Sequence, residues 1–253
     1  NKNFKIDKFK DLKNKIDYIF LEKIPNGLNI VKKEDSEDNK NSKKIRNSIV
    51  LEHHQRNMIN EGLTSAMDND LILISDLDEI PNLNNIDLEK DKNDLIFFKQ
   101  KMFYYKFNLL YPDLIWMGSR ISKKKHLLSP QWLRNIKTKN YPWYRFDTFF
   151  SEKKYRNIDF IENGGWHFSN IKNPKEIDLK MRNFAHHLEY EESGLNASII
   201  EKNIKEKKVF YNHFADMSDA NKLTYNANLI NLDKKKLPKY LYSNLDKYNN
   251  WID

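Results

Sequence analysis

The chain contains no cysteine, and of its 253 residues only 6 are glycine and 7 are proline. Without cysteine, the protein cannot form disulfide bonds, thiolate metal sites or a cysteine nucleophile. The scarcity of glycine and proline excludes collagen-like and linker-like architectures. What remains is typical of a globular protein with a core of its own, because hydrophobic residues make up 39% of the chain and aromatic residues 13%.

Long hydrophobic runs are also missing. No apolar stretch approaches the ~20 residues that span a bilayer, and no signal peptide is visible. Together with the lack of cysteine, this favours a cytoplasmic location. The alternative is a lumen-facing location after loss of an N-terminal anchor, because the chain at Asn1 already begins within a hydrophobic pattern. The formal net charge is +8, but basic and acidic residues are interspersed, so we do not expect nucleic acid as a partner.

The hydrophobic pattern of the first third predicts alternating helices and strands. Residues 4–16 have helical spacing, and residues 18–21 are typical of a short buried strand. Residues 32–44 are charged and rich in serine and asparagine, which predicts a solvated loop. Helical spacing returns at Ile45–Leu63, and Leu71–Ile74 is a four-residue aliphatic run typical of a strand buried on both faces. Strand, helix and strand in this order predict a right-handed βαβ crossover in a parallel sheet.

Beyond Pro81 the pattern predicts three further strands and one further helix, at Leu95–Phe98, Met102–Tyr105, Ile115–Met117 and Pro174–Tyr190. No internal repeat and no interdomain linker interrupts the chain. We therefore expect a single mixed α/β domain over residues 1–253.

The acid cluster after the central aliphatic run is the most informative motif. In an extended segment Asp76 and Asp78 project to one side, just past the carboxyl end of the strand, while Leu77 points back into the core. Two adjacent carboxylates stay ionised when a cation balances them, and their hard oxygens suit Mn²⁺ or Mg²⁺. Such an ion can bridge the phosphates of a nucleotide diphosphate and stabilise it as a leaving group. The alternative is a solvated turn.

A second motif is Gly164-Gly165-Trp166-His167. The paired glycines would let the backbone approach a ligand closely, and the indole of Trp166 offers a flat face for a sugar ring. His167 could be a third metal ligand or a phosphate partner. The alternative is a tight turn with a core tryptophan and a hydrogen-bonded histidine.

Several segments, in order, resemble glycosyltransferase family 17, which is related to the enzyme that adds bisecting N-acetylglucosamine to N-glycans. They are Gln55–Asn57 with Gly62-Leu63, Leu73–Pro81, Gly164–Ser169, Lys180–Glu189 and Leu237-Pro238. The resemblance implies a GT-A-type fold, with a Rossmann-like mixed central sheet flanked by helices. The first strand of such a fold is missing or lies upstream of Asn1. A nucleotide-binding half would span residues 1–81, and an acceptor and catalytic half residues 82–253.

The resemblance also implies a reaction: inverting transfer of a sugar, N-acetylglucosamine in characterised relatives, from a UDP-sugar to a glycan or glycoprotein acceptor. The expected metal ligands of Mn²⁺ or Mg²⁺ are Asp78, Asp76 and His167. The expected donor-binding residues are Asp76, Arg56, Asn57, Gly164, Gly165, Trp166, His167 and His186. Glu189, Glu79 and Glu162 are rival candidates for the base that takes the acceptor's proton.

Some of these residues have simpler explanations. Arg56 could pair with Glu52 one helical turn away, and His186 or His187 could cap a helix end. Paired acids on a basic chain also allow a metal-dependent phosphoesterase or nuclease, which would need more ligands for two metal ions. The net charge by itself allows a basic nucleic-acid-binding protein, whose binding would depend steeply on salt.

Overall fold

The computed structural model describes residues 5–84, 93–183, 187–213, 223 and 226–253. The α-helices are α1 (Glu37–Asn57), α2 (Pro130–Asn135), α3 (Pro174–Arg182), α4 (His187–Glu192), α5 (Ala197–Lys205) and α6 (Lys239–Tyr242). The strands are β1 (Leu71–Ile74), β2 (Glu79–Pro81), β3 (Leu95–Tyr104), β4 (Leu109–Lys123), β5 (Ile158–Ile161), β6 (Gly165–Ser169), β7 (Lys208–Val209), β8 (Ala227–Asn228) and β9 (Ile230–Asn231). Short 3₁₀ helices lie at Ile6–Lys15, Met58–Leu63, Lys124–His126, Phe146–Phe150, Lys234–Lys236 and Leu245–Trp251.

Seven of the described strands form one sheet around β3. Five of them follow the order β1-β4-β3-β6-β2, β5 pairs with β3, and β9 pairs with β4. On one side β3 pairs antiparallel with β4. On the other side it pairs in parallel with β5 along Leu95–Phe98 and with β6 along Lys101–Tyr104. The remaining pairs are antiparallel. The prediction of a mixed α/β fold with a helix-flanked central sheet is confirmed, and the sheet is mostly antiparallel.

The predicted βαβ crossover is wrong. Leu71–Ile74 does form β1, but it pairs antiparallel with β4, with Ile74 opposite Arg120. Its burial alternates, with Ile72 and Ile74 buried and the two leucines partly exposed, so it is not covered equally on both faces. Residues 18–21 form no strand, and Tyr18 and Phe20 are exposed. A four-residue apolar run does not reveal whether it has a strand partner.

The predicted loop over residues 32–44 is also wrong in its second half, because α1 begins at Glu37. The Ser36 side chain caps the helix by accepting a hydrogen bond from the backbone N–H of Asn39 (3.3 Å). Lys40 pairs with Glu37 at 2.8 Å within the first turn. None of the α1 residues is fully buried. Capping and charge pairs therefore support the start of a helix that hydrophobic spacing does not reveal.

The remaining predicted elements are largely present. The helix at Ile45–Leu63 is the rest of α1 and the 3₁₀ helix that follows, and the opening helix is the 3₁₀ helix Ile6–Lys15. The strands at 95–98 and 102–105 are one strand, β3, and residues 115–117 belong to β4.

The helix predicted at Pro174–Tyr190 is divided into α3 and α4, with residues 184–186 outside the described part of the chain. Pro174 occupies the first turn of α3, and Asn173 and Glu176 form a capping box at its start.

Buried side chains group against the sheet. One cluster joins Met102 and Tyr104 of β3 to Ile177 of α3 and Ile200 of α5. A second joins β1 and the first half of β3 to Leu133 of α2. Both predicted halves of the chain contribute strands to the same sheet, and the division at residue 81 and the GT-A architecture stay predictions. Across the described ranges, no helix combines the length and apolar character that a bilayer crossing requires.

Candidate functional site

The acid cluster forms a tight turn between β1 and β2. The backbone N–H of Glu79 donates to the carbonyl of Asp76 at 3.0 Å, which closes a four-residue turn. Leu77 lies at the tip and is fully exposed, so the prediction that it points into the core is wrong. Because the segment is a turn rather than an extended strand, Asp76 and Asp78 contact different partners.

Asp76 is bound by two arginines. Nη2 of Arg134 donates to Oδ2 of Asp76 at 2.8 Å, and Nη2 of Arg56 donates to Oδ1 at 3.2 Å. Arg56 also donates to Glu52 at 3.0 Å, so the helical pair and the contact with the acid cluster are both present. The two guanidinium groups thus place positive charge against both oxygens of the Asp76 carboxylate.

Glu79 lies behind the turn, and its side chain has no exposed surface. Its carboxylate accepts hydrogen bonds from Nε1 of Trp116 at 2.8 Å, from Arg134 at 2.9 and 3.2 Å, and from the backbone N–H of Asp76 at 3.1 Å. A buried carboxylate with this many donors stabilises the turn. Its role as the base stays a prediction, and it would require these contacts to break.

Arg134 reaches the turn because of the short helix α2. Ser129 caps this helix by accepting from the N–H of Trp132 at 3.0 Å, and Pro130 occupies its first turn. The buried guanidinium of Arg120 binds the C-terminal end of α2. It donates hydrogen bonds to the carbonyls of residues 133, 134 and 136 at 2.8 to 2.9 Å. Asn57, predicted to bind the donor, accepts from the N–H of Gln131 at 2.9 Å and so joins α1 to α2.

Arg134, Arg120 and Trp116 were not identified from the sequence as part of the site. The Ser129-Pro130 pair is a helix-start signal that would have located α2. No signal shows that α2 faces the acid cluster, because Arg134 and Asp76 are 58 residues apart in the chain.

Asp78 faces the second motif. Oδ2 of Asp78 lies 3.4 Å from Nε2 of His167. Burial raises the pKa of Asp78, but the hydrogen bond from His167 and the charges of His167 and Lys180 outweigh it, so the pKa is below its ordinary value. The His167 ring stacks on Trp116 with centroids 4.6 Å apart, and its Nδ1 lies 2.8 Å from the Met102 sulfur. His167 is therefore held rigidly against a half-exposed carboxylate.

The two motifs meet because β2 and β6 pair, with Glu79 opposite His167 and Pro81 opposite Gly165. The glycines permit close strand packing. A Cβ on Gly164 would lie 2.8 Å from the Ile161 carbonyl oxygen, and one on Gly165, whose φ is +130°, would lie 2.1 Å from the Ile80 carbonyl oxygen. The close approach that these glycines allow is therefore between backbone segments, which differs from the expected approach of a ligand.

The other predicted residues are spread around this centre. Trp166 packs in a cluster with the C-terminal segment and donates from Nε1 to the carbonyl of Lys236 at 2.9 Å. Glu162 is exposed and pairs with Lys99. Glu189 lies half-buried on α4, and His186 lies outside the described residues. The donor-binding and catalytic roles of all these residues stay predictions.

A groove of about 630 Å³ opens beside the turn. Residues 17–21 form one wall, α1 forms another, and Ser75, Asp76 and Leu77 lie at its end. Arg56 also lines it, so the groove contains both charges of the Arg56–Asp76 pair. Its volume lies in the range of pockets that hold small organic ligands.

No group of three or more histidine, aspartate or glutamate side chains that could hold a metal ion is found within the ranges that the structure describes. The Asp78–His167 pair still fits a metal ion that takes only two of its ligands from protein side chains. Two neighbouring ligands of an octahedral ion with bonds of about 2.1 Å lie about 3 Å apart, close to the separation observed between Oδ2 and Nε2. Mg²⁺ and Mn²⁺ commonly complete their coordination with water and substrate phosphates.

The helix-flanked sheet thus presents an acid-bearing turn beside a groove of the size that holds a small organic ligand. Comparison with protein families identifies the class, because the model of Glycosyltransferase family 17 matches residues 13–252. The chain therefore belongs to glycosyltransferase family 17, and it is a glycosyltransferase. No curated protein and no solved structure matched the chain in the same comparisons.

Proposed function

We propose that this glycosyltransferase is metal-dependent and inverting, and that it moves N-acetylglucosamine from a UDP-sugar to a glycan or glycoprotein acceptor. The observation that carries the proposal is the position of the Asp76–Glu79 turn. Its first residues line the groove, and its third residue, Asp78, faces His167. One turn would thus contact both a nucleotide in the groove and a cation at Asp78 and His167.

The groove suits a nucleoside in composition as well as in size. Tyr18 and Phe20, both within residues 17–21, line it, and both are exposed. An aromatic side chain at such a wall can stack on a nucleic base. Arg56 supplies a guanidinium beside Asp76, and a guanidinium is well suited to bind a phosphate oxygen. The donor would lie with its base toward residues 17–21 and its diphosphate toward the turn.

Asp78 and His167 are the residues that would hold the metal ion. Asp76 contributes less directly, because both of its oxygens accept hydrogen bonds from arginines. A divalent cation at this place would supply positive charge for the diphosphate as it leaves. Lys180, whose charge acts on Asp78, adds positive charge from α3. Among the three candidate bases we favour Glu189, because Glu79 is buried and Glu162 is exposed and paired.

Thermal unfolding with a panel of nucleoside diphosphates tests the donor and the metal together. We expect UDP to raise the melting temperature in the presence of Mn²⁺ and to do so much less in its absence, because a ligand that binds only the folded state stabilises it. The variant Asp78→Asn removes a negative charge with little change of shape. It should lose the Mn²⁺-dependent part of the shift and the transfer of sugar from UDP-N-acetylglucosamine.

Asp68→Asn is the matched control, because Asp68 is an exposed aspartate in the turn that precedes β1, at the opposite end of the strand. This variant should behave as the wild type does. Transfer that requires Mn²⁺ and is undiminished in Asp78→Asn would contradict the metal assignment. A shift with another nucleoside diphosphate, but not with UDP, would contradict the donor assignment.

The rival functions lack support from the site. A phosphoesterase with two metal ions needs several convergent ligands, and the described residues contain no such group. A nucleic-acid-binding role rested on net charge alone, and family membership identifies the chain as a glycosyltransferase.

A further inference from the structure

A short surface segment exposes an unusual number of aromatic side chains. In residues 141–150, five large aromatic residues are at least half exposed: Trp143 (78%), Tyr144 (59%), Phe146 (67%), Phe149 (70%) and Phe150 (93%). Single exposed apolar residues are normal on a protein surface, but a contiguous group marks an interaction site. We call residues 137–156 the aromatic-basic surface.

The segment is held in shape by its own contacts. Tyr141 and Thr148 are buried beneath it. The Arg156 guanidinium lies 4.3 Å from the ring centroid of Phe149 and also donates to the Thr148 hydroxyl at 2.9 Å. The rings of Trp143 and Tyr144 pack edge to face, with centroids 6.2 Å apart. The exposed rings are therefore presented by a folded surface.

Basic side chains belong to the same segment as these rings. The aromatic-basic surface contains six lysines and arginines and two acidic residues, which gives it half of the net charge of the whole chain. Asp147, one of the two acids, is already paired with Arg145 at 2.8 Å and with Lys154 at 2.6 Å. Lys139 lies over the ring of Tyr141 at 5.1 Å. The surface therefore combines exposed apolar rings with an excess of positive charge.

We propose that the aromatic-basic surface docks the protein on an anionic lipid bilayer. Aromatic rings are favoured at the boundary between headgroups and acyl chains, and lysine and arginine bind anionic headgroups. Phe146, Phe149 and Phe150 have no hydrogen-bonding group to offer a sugar, so an apolar phase suits them better than a glycan does. A second copy of the chain is disfavoured as the occupant because two such surfaces would repel each other.

This inference does not depend on the proposed donor, metal or acceptor. It concerns where the enzyme resides during the reaction. An enzyme held at a bilayer would meet lipid-linked or membrane-bound acceptors by diffusion in two dimensions.

Vesicle cosedimentation of the full chain tests the docking. We expect binding to phosphatidylcholine vesicles that contain phosphatidylglycerol, weak binding to pure phosphatidylcholine, and a decrease with added salt because salt screens the headgroup charge. Phe150→Ser should weaken the affinity for the anionic vesicles about tenfold. Lys153→Gln, which removes one exposed charge, should weaken it about fivefold.

Met67→Ser is the matched control, because Met67 is 71% exposed in a turn outside this surface. It should bind vesicles as the wild type does, and all three variants should keep the wild-type melting temperature. Absence of vesicle binding by the wild type would overturn the proposal, and so would an equal loss in Met67→Ser. Equal binding to neutral and anionic vesicles, unchanged in Lys153→Gln, would overturn the electrostatic part. If Phe150→Ser raised KM for a soluble glycan and left vesicle binding unchanged, the surface would be an acceptor platform instead.

Discussion

Arg134 and Asp76 form the contact that joins the helix α2 to the acid-bearing turn, with 2.8 Å between Nη2 and Oδ2. The same guanidinium donates to Glu79 at 2.9 Å and to the carbonyl of Gly118 at 2.5 Å. One side chain thus holds both ends of the turn against β4. The shape of the candidate donor site depends on this arginine, although it lies outside every motif that the sequence displays.

Replacing Arg134 by methionine should destabilise the protein strongly. The Glu79 carboxylate has no exposed surface, so removal of its cationic partner leaves a buried charge uncompensated. We expect a loss of about 3 to 5 kcal/mol in the free energy of unfolding, measured by chemical denaturation. The double variant Arg134→Met/Glu79→Gln should recover part of this loss, because the charge that lacked a partner is then also gone.

The control for this experiment is Arg182→Met, which removes an exposed arginine from a helical pair with Asp178. The free energy of unfolding should be unchanged within error. Losses of equal size in the two arginine variants would show that Glu79 does not depend on Arg134.

Gly165 should not tolerate a side chain. Its φ is +130°, and a Cβ would lie 2.1 Å from the Ile80 carbonyl oxygen. Gly165→Ala therefore has to separate β2 from β6, and we expect a loss above about 3 kcal/mol or failure to fold. Gly194→Ala is the control, because Gly194 also has a positive φ, +71°, but no atom within 4 Å of the added Cβ. It should cost only about 1 to 2 kcal/mol. Similar losses in the two variants would contradict the steric explanation.

His213 should make the protein less stable in mild acid. Burial, and then the charge of His167, lowers the pKa of His213 to about 4. In the unfolded chain the pKa is about 6.5, so between these values the unfolded state binds more protons and stability falls as the pH falls. The loss should reach at most about 2 kcal/mol at pH 5.

The variant His213→Gln tests this pH dependence. Glutamine can still hydrogen bond with the Tyr104 hydroxyl, the partner of His213, but it does not titrate. The decrease in melting temperature between pH 7 and pH 5 should be smaller in this variant than in the wild type. An identical decrease would assign the acid sensitivity to other groups.

The three candidate bases can be separated by kinetics. Glu189→Gln should lower kcat by about 10² to 10⁴ with little change in KM, because a general base acts in the transition state. Glu162→Gln should leave kcat unchanged, because Glu162 is exposed and paired with Lys99. Glu79→Gln should mainly lower the melting temperature. A larger loss of kcat in Glu162→Gln than in Glu189→Gln would reverse the assignment.

The sequence was most informative where a local pattern has one physical solution. The start of α3, with Asn173, Pro174 and Glu176, follows directly from capping chemistry. Most of β3 was predicted, as two short strands, from its runs of aromatic and branched residues, whereas only Ile115–Met117 of β4 was predicted. Helix α1 began earlier than predicted because charge pairs and a serine cap, rather than an apolar face, support its first turns.

The sequence by itself determined the family, a part of the secondary structure that includes β1, most of β3 and the start of α3, and the two motifs that meet in the structure. Each of these depends on residues close together in the chain. Only the tertiary structure decided that β1 is antiparallel, that Leu77 is exposed, and that Arg134 binds Asp76. The physical reason is that strand pairing and ion pairing join residues far apart in the chain. A local pattern specifies that a side chain needs a partner, but only the folded chain determines which partner is near.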